Sequence, residues 1–243
     1  FRAEKQLPDK LEHTSRLILT KSGEYYICIP RSIRSTKSPS TDKIVAIDPG
    51  IRTFGTCYDK DGIAIKIGSE MSLSTGKLLL YKRKLISKIA RCQNKRLKYR
   101  LRKVLKRVCN TIQNIIGDFH KKTANFLCSN YNTIVIPKLN FHNFNRMSKN
   151  IKGKFIIQSH CKFVDRLIMK SKMFTNCQVK VVTEEYTSKT CSCCGHIKND
   201  LGSKTVYNCD NCKNIMCRDL NGSFNILKKY MKESFMTTSV SSS

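Results

Sequence analysis

Two pairs of cysteines in the last quarter of the chain have the spacing of a metal site. Cys191 and Cys194 form one C-x2-C unit, Cys209 and Cys212 form a second, and 14 residues separate the two units. Two such units facing each other supply the four thiolates that a tetrahedral Zn²⁺ site needs. The sequence therefore predicts one structural zinc ion bound by these four cysteines.

Four acidic residues stand at the ends of segments that pattern as strands or helices. Asp48 ends a short apolar strand, Glu184 and Glu185 follow an alternating strand, and Asp219 begins the last amphipathic segment. Carboxylates that cluster beside a polyanion favour Mg²⁺ or Mn²⁺, because hard divalent ions take oxygen ligands and bridge to phosphate oxygens. A simple turn-forming role for Asp48, which precedes a Pro-Gly pair, is the alternative interpretation.

The charge balance indicates a polyanionic partner. The chain has 46 Lys and Arg residues against 17 Asp and Glu residues, a formal net charge of +29. Such an excess is typical of nucleic-acid-binding proteins, so DNA or RNA is the expected partner rather than a small-molecule substrate. No run of about 18 apolar residues and no signal peptide is visible, which argues against a membrane or secreted protein. The metal-type cysteine spacing favours a reducing compartment, the cytoplasm or the nucleus.

The basic residues concentrate in a helical region at about 77–129. An apolar stripe recurs there at steps of three and four residues, and no acidic residue occurs between Glu70 and Asp118. A solvated helix face would mix both signs, so a surface that follows phosphates is the better interpretation. The predicted nucleic-acid-binding residues are Lys82, Arg83, Lys84, Arg91, Lys95, Arg96, Arg100, Arg102, Lys103, Lys106 and Arg107.

The order of the elements predicts an α/β fold. Three strands joined by short loops are followed by a helical region, a strand, a helix at 155–174, a strand and a final helix. This is the order of a ribonuclease-H-like mixed sheet, here with a basic helical insertion and an inserted zinc ribbon. The expected segments are a β remnant and linker at 1–42, a core at 43–185, the ribbon at 186–218, the final helix at 219–232 and a disordered tail at 233–243. The start at Phe1 instead of Met indicates a truncated N-terminus.

Three stretches carry a resemblance to a known family. They are Ala-Ile-Asp-Pro-Gly-Ile-Arg at 46–52, Tyr-Thr-Ser-Lys-Thr-Cys leading into the first cysteine pair at 186–195, and Arg-Asp-Leu-Asn at 218–221 with Asn-Ile-Leu at 225–227. Together they resemble the RuvC nuclease domain of the transposon-encoded TnpB proteins and their Fanzor relatives, over about residues 43–230. The resemblance implies a transposase-type, RNA-guided DNA endonuclease that binds a guide RNA and hydrolyses DNA phosphodiesters with two Mg²⁺ or Mn²⁺ ions held by Asp48, Glu184 and Asp219.

One position departs from the usual pattern of that family. Most members end the strand that corresponds to 133–136 with a catalytic Glu, whereas Pro137 stands there in this chain. Fanzor-type members are similar in lacking this Glu and in carrying a substitute just before the Tyr-Thr-Ser-Lys motif. The resemblance therefore implies the Fanzor-type branch, with Glu184 as the first choice for the third metal ligand and Glu185 as the second.

Other functions fit parts of the same sequence. A catalytically inactive zinc-ribbon protein that binds nucleic acid, or regulates transposition, would explain the charge and the cysteines equally well. A strand-transferring transposase could share the fold. A purely structural zinc-ribbon protein would leave the placement of Asp48 and Asp219 unexplained.

Overall fold

A computed structural model describes residues 8–20, 23–32, 35–37, 42–69, 71–138, 148–183, 187–202 and 204–240. The chain divides into two compact units. The first combines Phe1–Arg34 with Leu78–Ile112, and the second combines Ser35–Lys77 with Gln113–Ser243. The hairpin region and most of the basic helical region, which the sequence assigned to separate segments, thus share one unit.

The first unit contains a two-stranded hairpin and parts of two long helices. Strands β1 (Arg16–Leu19) and β2 (Tyr25–Cys28) pair antiparallel, and Gly23 in their connection has a φ of +79°. A residue without a Cβ adopts this left-handed conformation at little cost. Helix α1 runs from Met71 to Arg91 and helix α2 from Lys95 to Asn130, so both helices extend into the second unit.

The second unit is built on a five-stranded mixed sheet in the order β5-β4-β3-β6-β7. Its strands are β3 (Ile44–Pro49), β4 (Gly55–Asp59), β5 (Ala64–Ile67), β6 (Thr133–Pro137) and β7 (Gln178–Val182). The first three form an antiparallel meander, while β6 is parallel to both β3 and β7. The meander was predicted from two short turn-containing connections, and the central β3 and β6 are apolar enough to be buried on both faces.

Alternate residues of the central strands pack into two different cores. Val45 and Ile47 of β3 belong to a large core that also contains Leu127 of α2. Ala46, between them, packs with Ile226 of α5 (Arg218–Val240) on the opposite face. Because successive strand residues point to opposite faces, the odd-numbered residues of β3 face α2 and the even-numbered ones face α5. Asp48 therefore belongs to the α5 face.

Two helices replace the single helix that the sequence predicted at 155–174. Helix α3 (Lys149–Gln158) ends at Ser159, which has a left-handed φ of +49°, and helix α4 (His160–Ser171) begins immediately afterwards. Ser148 caps α3 by accepting a hydrogen bond from the backbone of Ile151 at 3.4 Å. The apolar periodicity continues through the break, so spacing alone did not reveal it.

The ribbon and the final helix complete the unit. Strands β8 (Val206–Asn208) and β9 (Ile215–Cys217) form a short antiparallel hairpin, and α5 follows β9 directly. The helix continues to Val240, past residue 232, although the sequence predicted disorder from 233 onward. Residues such as Lys232, Glu233 and Met236 favour helices, and they outweigh the Ser- and Thr-rich end in this region.

Among the described residues, no helix is both long enough and apolar enough to cross a membrane.

Candidate functional site

The four predicted zinc ligands lie together. The sulfur atoms of Cys191, Cys194, Cys209 and Cys212 all lie within 4.8 Å of one another. Cys191 and Cys212 are 3.7 Å apart between sulfurs, and Cys194 and Cys209 are 3.6 Å apart. A tetrahedron with Zn–S bonds of about 2.3 Å has edges of about 3.8 Å, so the donor set fits a structural Zn²⁺. Over the described part of the chain, it is the only group of three or more His, Cys, Asp or Glu that could share an ion.

The environment of these thiols favours ionisation of at least one of them. A hydrogen bond from the backbone N–H of His196 is the main cause that lowers the pKa of Cys194 to about 6. The backbone N–H of Asn214 acts in the same direction on Cys212, but desolvation and the neighbouring thiols outweigh it and raise the pKa of Cys212 to about 12. Several thiolates this close repel one another, and a divalent cation would remove that repulsion.

Polar side chains of α5 attach the first cysteine segment to the core. Asn221, which is fully buried, accepts a hydrogen bond from the backbone N–H of Ser192 at 2.9 Å and donates to the carbonyl of Thr190 at 2.8 Å. One turn later, Asn225 donates to the carbonyls of Thr187 and Thr190 at 2.9 and 2.7 Å. The ribbon is thus fixed to the same helix that begins with Asp219.

The side chain of Asp48 lies against α5 at Gly222, a residue that has no side chain. A Cβ added to Gly222 would lie 2.5 Å from Asp48 Oδ2 and 3.1 Å from its Cγ, closer than real contacts allow. Asp219 is three residues earlier on the same helix, and residues at this spacing are neighbours on one helix face. The structure therefore brings the carboxylate of Asp48 to the side of α5 on which Asp219 lies, about 4.5 Å further along the helix axis.

The other two predicted catalytic residues, Glu184 and Glu185, lie outside the described residues. The strand that leads to them is described as far as Thr183. Lys229 of α5 donates to the side chain and to the carbonyl of Thr183, at 2.5 and 3.2 Å. The residue that follows β7 is therefore tied to α5, one residue before Glu184. Pro137 ends the neighbouring strand β6 and is buried.

A buried hydroxyl adjoins Asp48 on the neighbouring strand. Thr56 of β4 pairs directly with Asp48, and opposite residues of an antiparallel pair point to the same face. Thr56 is only 2% exposed, and its hydroxyl has no hydrogen-bond partner among the described residues. Buried polar atoms of this kind usually bond to water or to an ion. This hydroxyl lies on the same face of the sheet as the carboxylate of Asp48, whose oxygens are the ligand type that a divalent cation takes.

The predicted nucleic-acid-binding residues are mostly exposed. Lys82 is half-buried, and the other ten predicted residues on α1 and α2 are exposed. Tyr99 and Leu97 are exposed among them, and the ammonium of Lys103 lies 4.8 Å from the ring centroid of Tyr99. Aromatic rings interspersed with cations are suited to bases and phosphates of nucleic acid.

Two family models match the sequence. The model described as "Probable transposase", OrfB_IS605, matches residues 20–148, which is more than half of the chain. The chain belongs to the TnpB family of probable transposases. A second model, "Cas12f1-like, TNB domain", matches residues 160–226 and so includes the four cysteines.

Two viral proteins are similar to this chain over most of its length. A putative transposase of Paramecium bursaria Chlorella virus 1 is 31% identical over 214 residues, which are 86% of this chain and 48% of that protein. A TnpB-like protein of Acanthamoeba polyphaga mimivirus is 30% identical over 217 residues, 86% of this chain and 41% of that protein. The chain thus spans less than half the length of these relatives.

Solved structures support the predicted fold of this TnpB family member. The Cas12f1–sgRNA–target DNA complex contains a chain that matches 83% of this chain and 41% of its own length, with a TM-score of 0.59 and 17% identity. A CRISPR-Cas12f ternary complex gives a TM-score of 0.60 at 18% identity, with the same coverage. The predicted RuvC-like α/β fold is thereby confirmed.

Sequence reasoning missed several residues around Asp48 and the four cysteines. Gly222 and Thr56 carry no catalytic signature, and only the packing of α5 and β4 around Asp48 makes them relevant. Asn221 and Asn225 belong to the motif that carries the family resemblance, but the resemblance did not indicate that they hold the ribbon. Their spacing of four residues on a helix was the available signal.

Proposed function

We propose that this chain is the RuvC-like part of a transposon-associated, RNA-guided endonuclease that hydrolyses DNA phosphodiesters with divalent metal ions. The observation that supports this most is the approach of Asp48 to α5 at Gly222, one turn from Asp219. The similarity to a TnpB-like viral protein, and the shared fold with a Cas12f1 chain that is bound to sgRNA and target DNA, support the same substrate class.

Asp48, Asp219 and Glu184 would hold the catalytic Mg²⁺ or Mn²⁺ ions, with Glu185 as the alternative to Glu184. Such ions lower the pKa of an attacking water and stabilise the leaving oxygen of the DNA strand. The contribution of this chain is to orient the carboxylates. β3 presents Asp48, α5 presents Asp219, and the bond from Lys229 to Thr183 holds the segment that leads to Glu184.

The exposed cations of α1 and α2 would bind phosphates of the guide RNA or the DNA. Between Met71 and Gly117 the sequence has no acidic residue, so no carboxylate within this stretch neutralises them. Backbone contacts of this kind give affinity without sequence preference, and base pairing with a guide would supply the specificity.

Replacement of Asp48 by Ala tests this function. The full-length protein, purified with the RNA that accompanies it, should cleave DNA in Mg²⁺ or Mn²⁺, and Asp48→Ala should reduce the rate by on the order of 100-fold or more, because a direct metal ligand is lost. DNA affinity, measured by fluorescence anisotropy, should stay within about twofold. Asp165→Asn is the matched control, since Asp165 is an exposed acid on α4. Wild-type cleavage by Asp48→Ala would show that the site is misassigned.

A catalytically inactive nucleic-acid-binding protein is the second candidate. The observation that favours it is Pro137 at the end of β6, a residue whose side chain cannot bind a metal. In that case the wild-type protein would bind DNA as tightly as proposed and leave it intact in both Mg²⁺ and Mn²⁺.

A further inference from the structure

Two side chains at the junction of α3 and α4 bind the loop that follows Asp48. His160 Nε2 lies 3.1 Å from the carbonyl oxygen of Gly50, and Gln158 Nε2 donates to the carbonyl oxygen of Ile51 at 3.1 Å. His160 Nε2 also lies 3.2 Å from Gln158 Oε1. Two consecutive carbonyls of the loop are therefore held from one junction, two and three residues after Asp48.

The hydrogen-bond partners of His160 and His120 show which ring nitrogen of each histidine carries the proton. Both neighbours of His160 Nε2 are oxygen acceptors, so this nitrogen carries a hydrogen and donates. His120 Nε2 similarly donates to the carbonyl of Gln158 at 2.9 Å, while its Nδ1 accepts from Arg166 at 3.0 Å. Burial is the main cause that lowers the pKa of both histidines to about 4. Each ring is neutral at neutral pH. Arg166 donates to His120, and His120 donates to the backbone carbonyl of Gln158, whereas the side chains of Gln158 and His160 donate to the loop.

The network is enclosed by aromatic rings. His120, Gln158 and His160 are each at least 96% buried. The ring of Phe54 stacks on His160 with 4.5 Å between centroids, and Phe163 contacts Phe54 edge-on at 5.0 Å. Polar groups buried in this way stabilise one geometry only, because any displaced bond leaves a donor or acceptor without a partner in a low-dielectric interior.

The loop does not need these bonds to close its own turn. Gly50 N donates to the carbonyl of Phe54 at 3.1 Å, and a Cβ on Gly50 would meet the carbonyl oxygen of Thr53 at 2.6 Å. The turn between β3 and β4 is therefore already tight and closed by its backbone. The junction residue Ser159 has a left-handed φ of +49°, a conformation that costs free energy in residues other than glycine. This strained residue separates the two side chains that bind the loop.

We propose that Gln158 and His160 are positioning residues, which fix the Gly50–Ile51 peptide and thereby hold Asp48 against Gly222 with its carboxylate oriented to share a divalent ion with Asp219. This inference rests on the proposed function. The carboxylate cannot move closer to α5, since a Cβ at Gly222 would already lie 2.5 Å from Asp48 Oδ2. A small rotation of the following peptide would therefore change how Asp48 presents its oxygens.

Binding of Mn²⁺ to the purified full chain tests the proposal without relying on cleavage. Mn²⁺ titration followed by electron paramagnetic resonance should show His160→Leu and Gln158→Met binding at least about 10-fold more weakly than wild type, the usual range for a lost supporting bond. The Mn²⁺ concentration for half-maximal cleavage should rise equally, with DNA affinity unchanged. His160→Gln, which retains a donor, should recover part of the affinity.

Phe163→Leu is the matched control. It removes aromatic packing from Phe54 and His120 but no hydrogen bond to the loop. It should lower the melting temperature and leave the affinity for Mn²⁺ unchanged. If His160→Leu does not fold, Gln158→Met decides, because it preserves the stacking of His160 on Phe54.

Two results distinguish a failure of the positioning role from a failure of the proposed metal site. If Asp48→Ala loses Mn²⁺ binding while folded His160→Leu and Gln158→Met bind Mn²⁺ as wild type does, the positioning role is overturned and the metal site stands. If Asp48→Ala itself binds Mn²⁺ as tightly as wild type, the proposed metal site is wrong and the positioning role fails with it.

Discussion

Among single residues, Gly222 determines how closely Asp48 can approach α5. The carboxylate lies where any other residue at position 222 would place its Cβ. A glycine inside a helix is unfavourable by about 1 kcal/mol relative to alanine. Its presence next to the first turn of α5 is explained by the space that Asp48 occupies.

Replacement of Gly222 by Ala should separate helix stability from activity. Alanine favours the helix, but its Cβ would have to displace Asp48 Oδ2 from 2.5 Å. We expect little change in melting temperature, because the two effects oppose each other, and a loss of Mn²⁺-dependent cleavage of about 10-fold or more.

The control for this variant is Gly153→Ala in α3, where nothing lies within 4 Å of the added Cβ. It should raise the melting temperature slightly and leave cleavage unchanged. A Gly222→Ala protein that cleaves at the wild-type rate would mean that Asp48 adjusts freely or lies outside the reacting site.

At the scale of secondary-structure elements, we expect the ribbon to depend on both a bound metal and α5. Asn221 is fully buried. Its side-chain amide forms its two hydrogen bonds, to Ser192 and Thr190, with the backbone of the ribbon. If the ribbon unfolds, this amide loses both partners, which costs about 1–3 kcal/mol unless water reaches it. Loss of zinc should therefore destabilise the first turns of α5 as well as the ribbon.

Cys191→Ser tests that coupling. Wild-type protein should contain one zinc per chain by elemental analysis, and the variant should lose it and melt at a lower temperature, because metal binding and folding of such modules are linked. Cys193→Ser is the matched control, since Cys193 is an exposed neighbour outside the group of four. Equal zinc content in wild type and Cys191→Ser would contradict the assignment.

The sequence predicted most of these elements but not their contacts. Apolar runs and short turns were sufficient for the meander, and the apolar periodicity of the basic region was sufficient to predict helices there. The break at Ser159 was missed because an apolar stripe persists across it, while a left-handed residue other than glycine leaves no compositional trace. The hydrogen bonds of His120 to Gln158 and of His160 to Gly50 could not be predicted, because they join elements that are far apart in sequence.

For the molecule as a whole, the net charge of +29 predicts strongly salt-dependent binding to DNA. Each phosphate contact contributes about 0.9 to the slope of the logarithm of affinity against the logarithm of salt concentration for duplex DNA. Arg100→Gln and Arg102→Gln, both at exposed positions of α2, should each reduce the slope by up to about 0.9.

Anisotropy titrations at several salt concentrations measure this slope. Lys121→Gln provides the control, because Lys121 is also exposed on α2 but is not one of the predicted nucleic-acid-binding residues, which end at Arg107. It should leave the slope unchanged. If all three variants lower the slope equally, the charge acts as a diffuse field and not through a phosphate-binding surface on α1 and α2.

Helix α5 carries three kinds of contact within eight residues: Asp219 at its start, Asn221 and Gly222 in the middle, and Ile226 in the core. An α-helix turns by about 100° per residue. Insertion of one residue between Asn225 and Ile226 would thus rotate the start of the helix relative to Ile226. Asp219, Asn221 and Gly222 would all turn away from their partners together. A change in the length of this helix would therefore disconnect the ribbon and Asp219 from the sheet in one step.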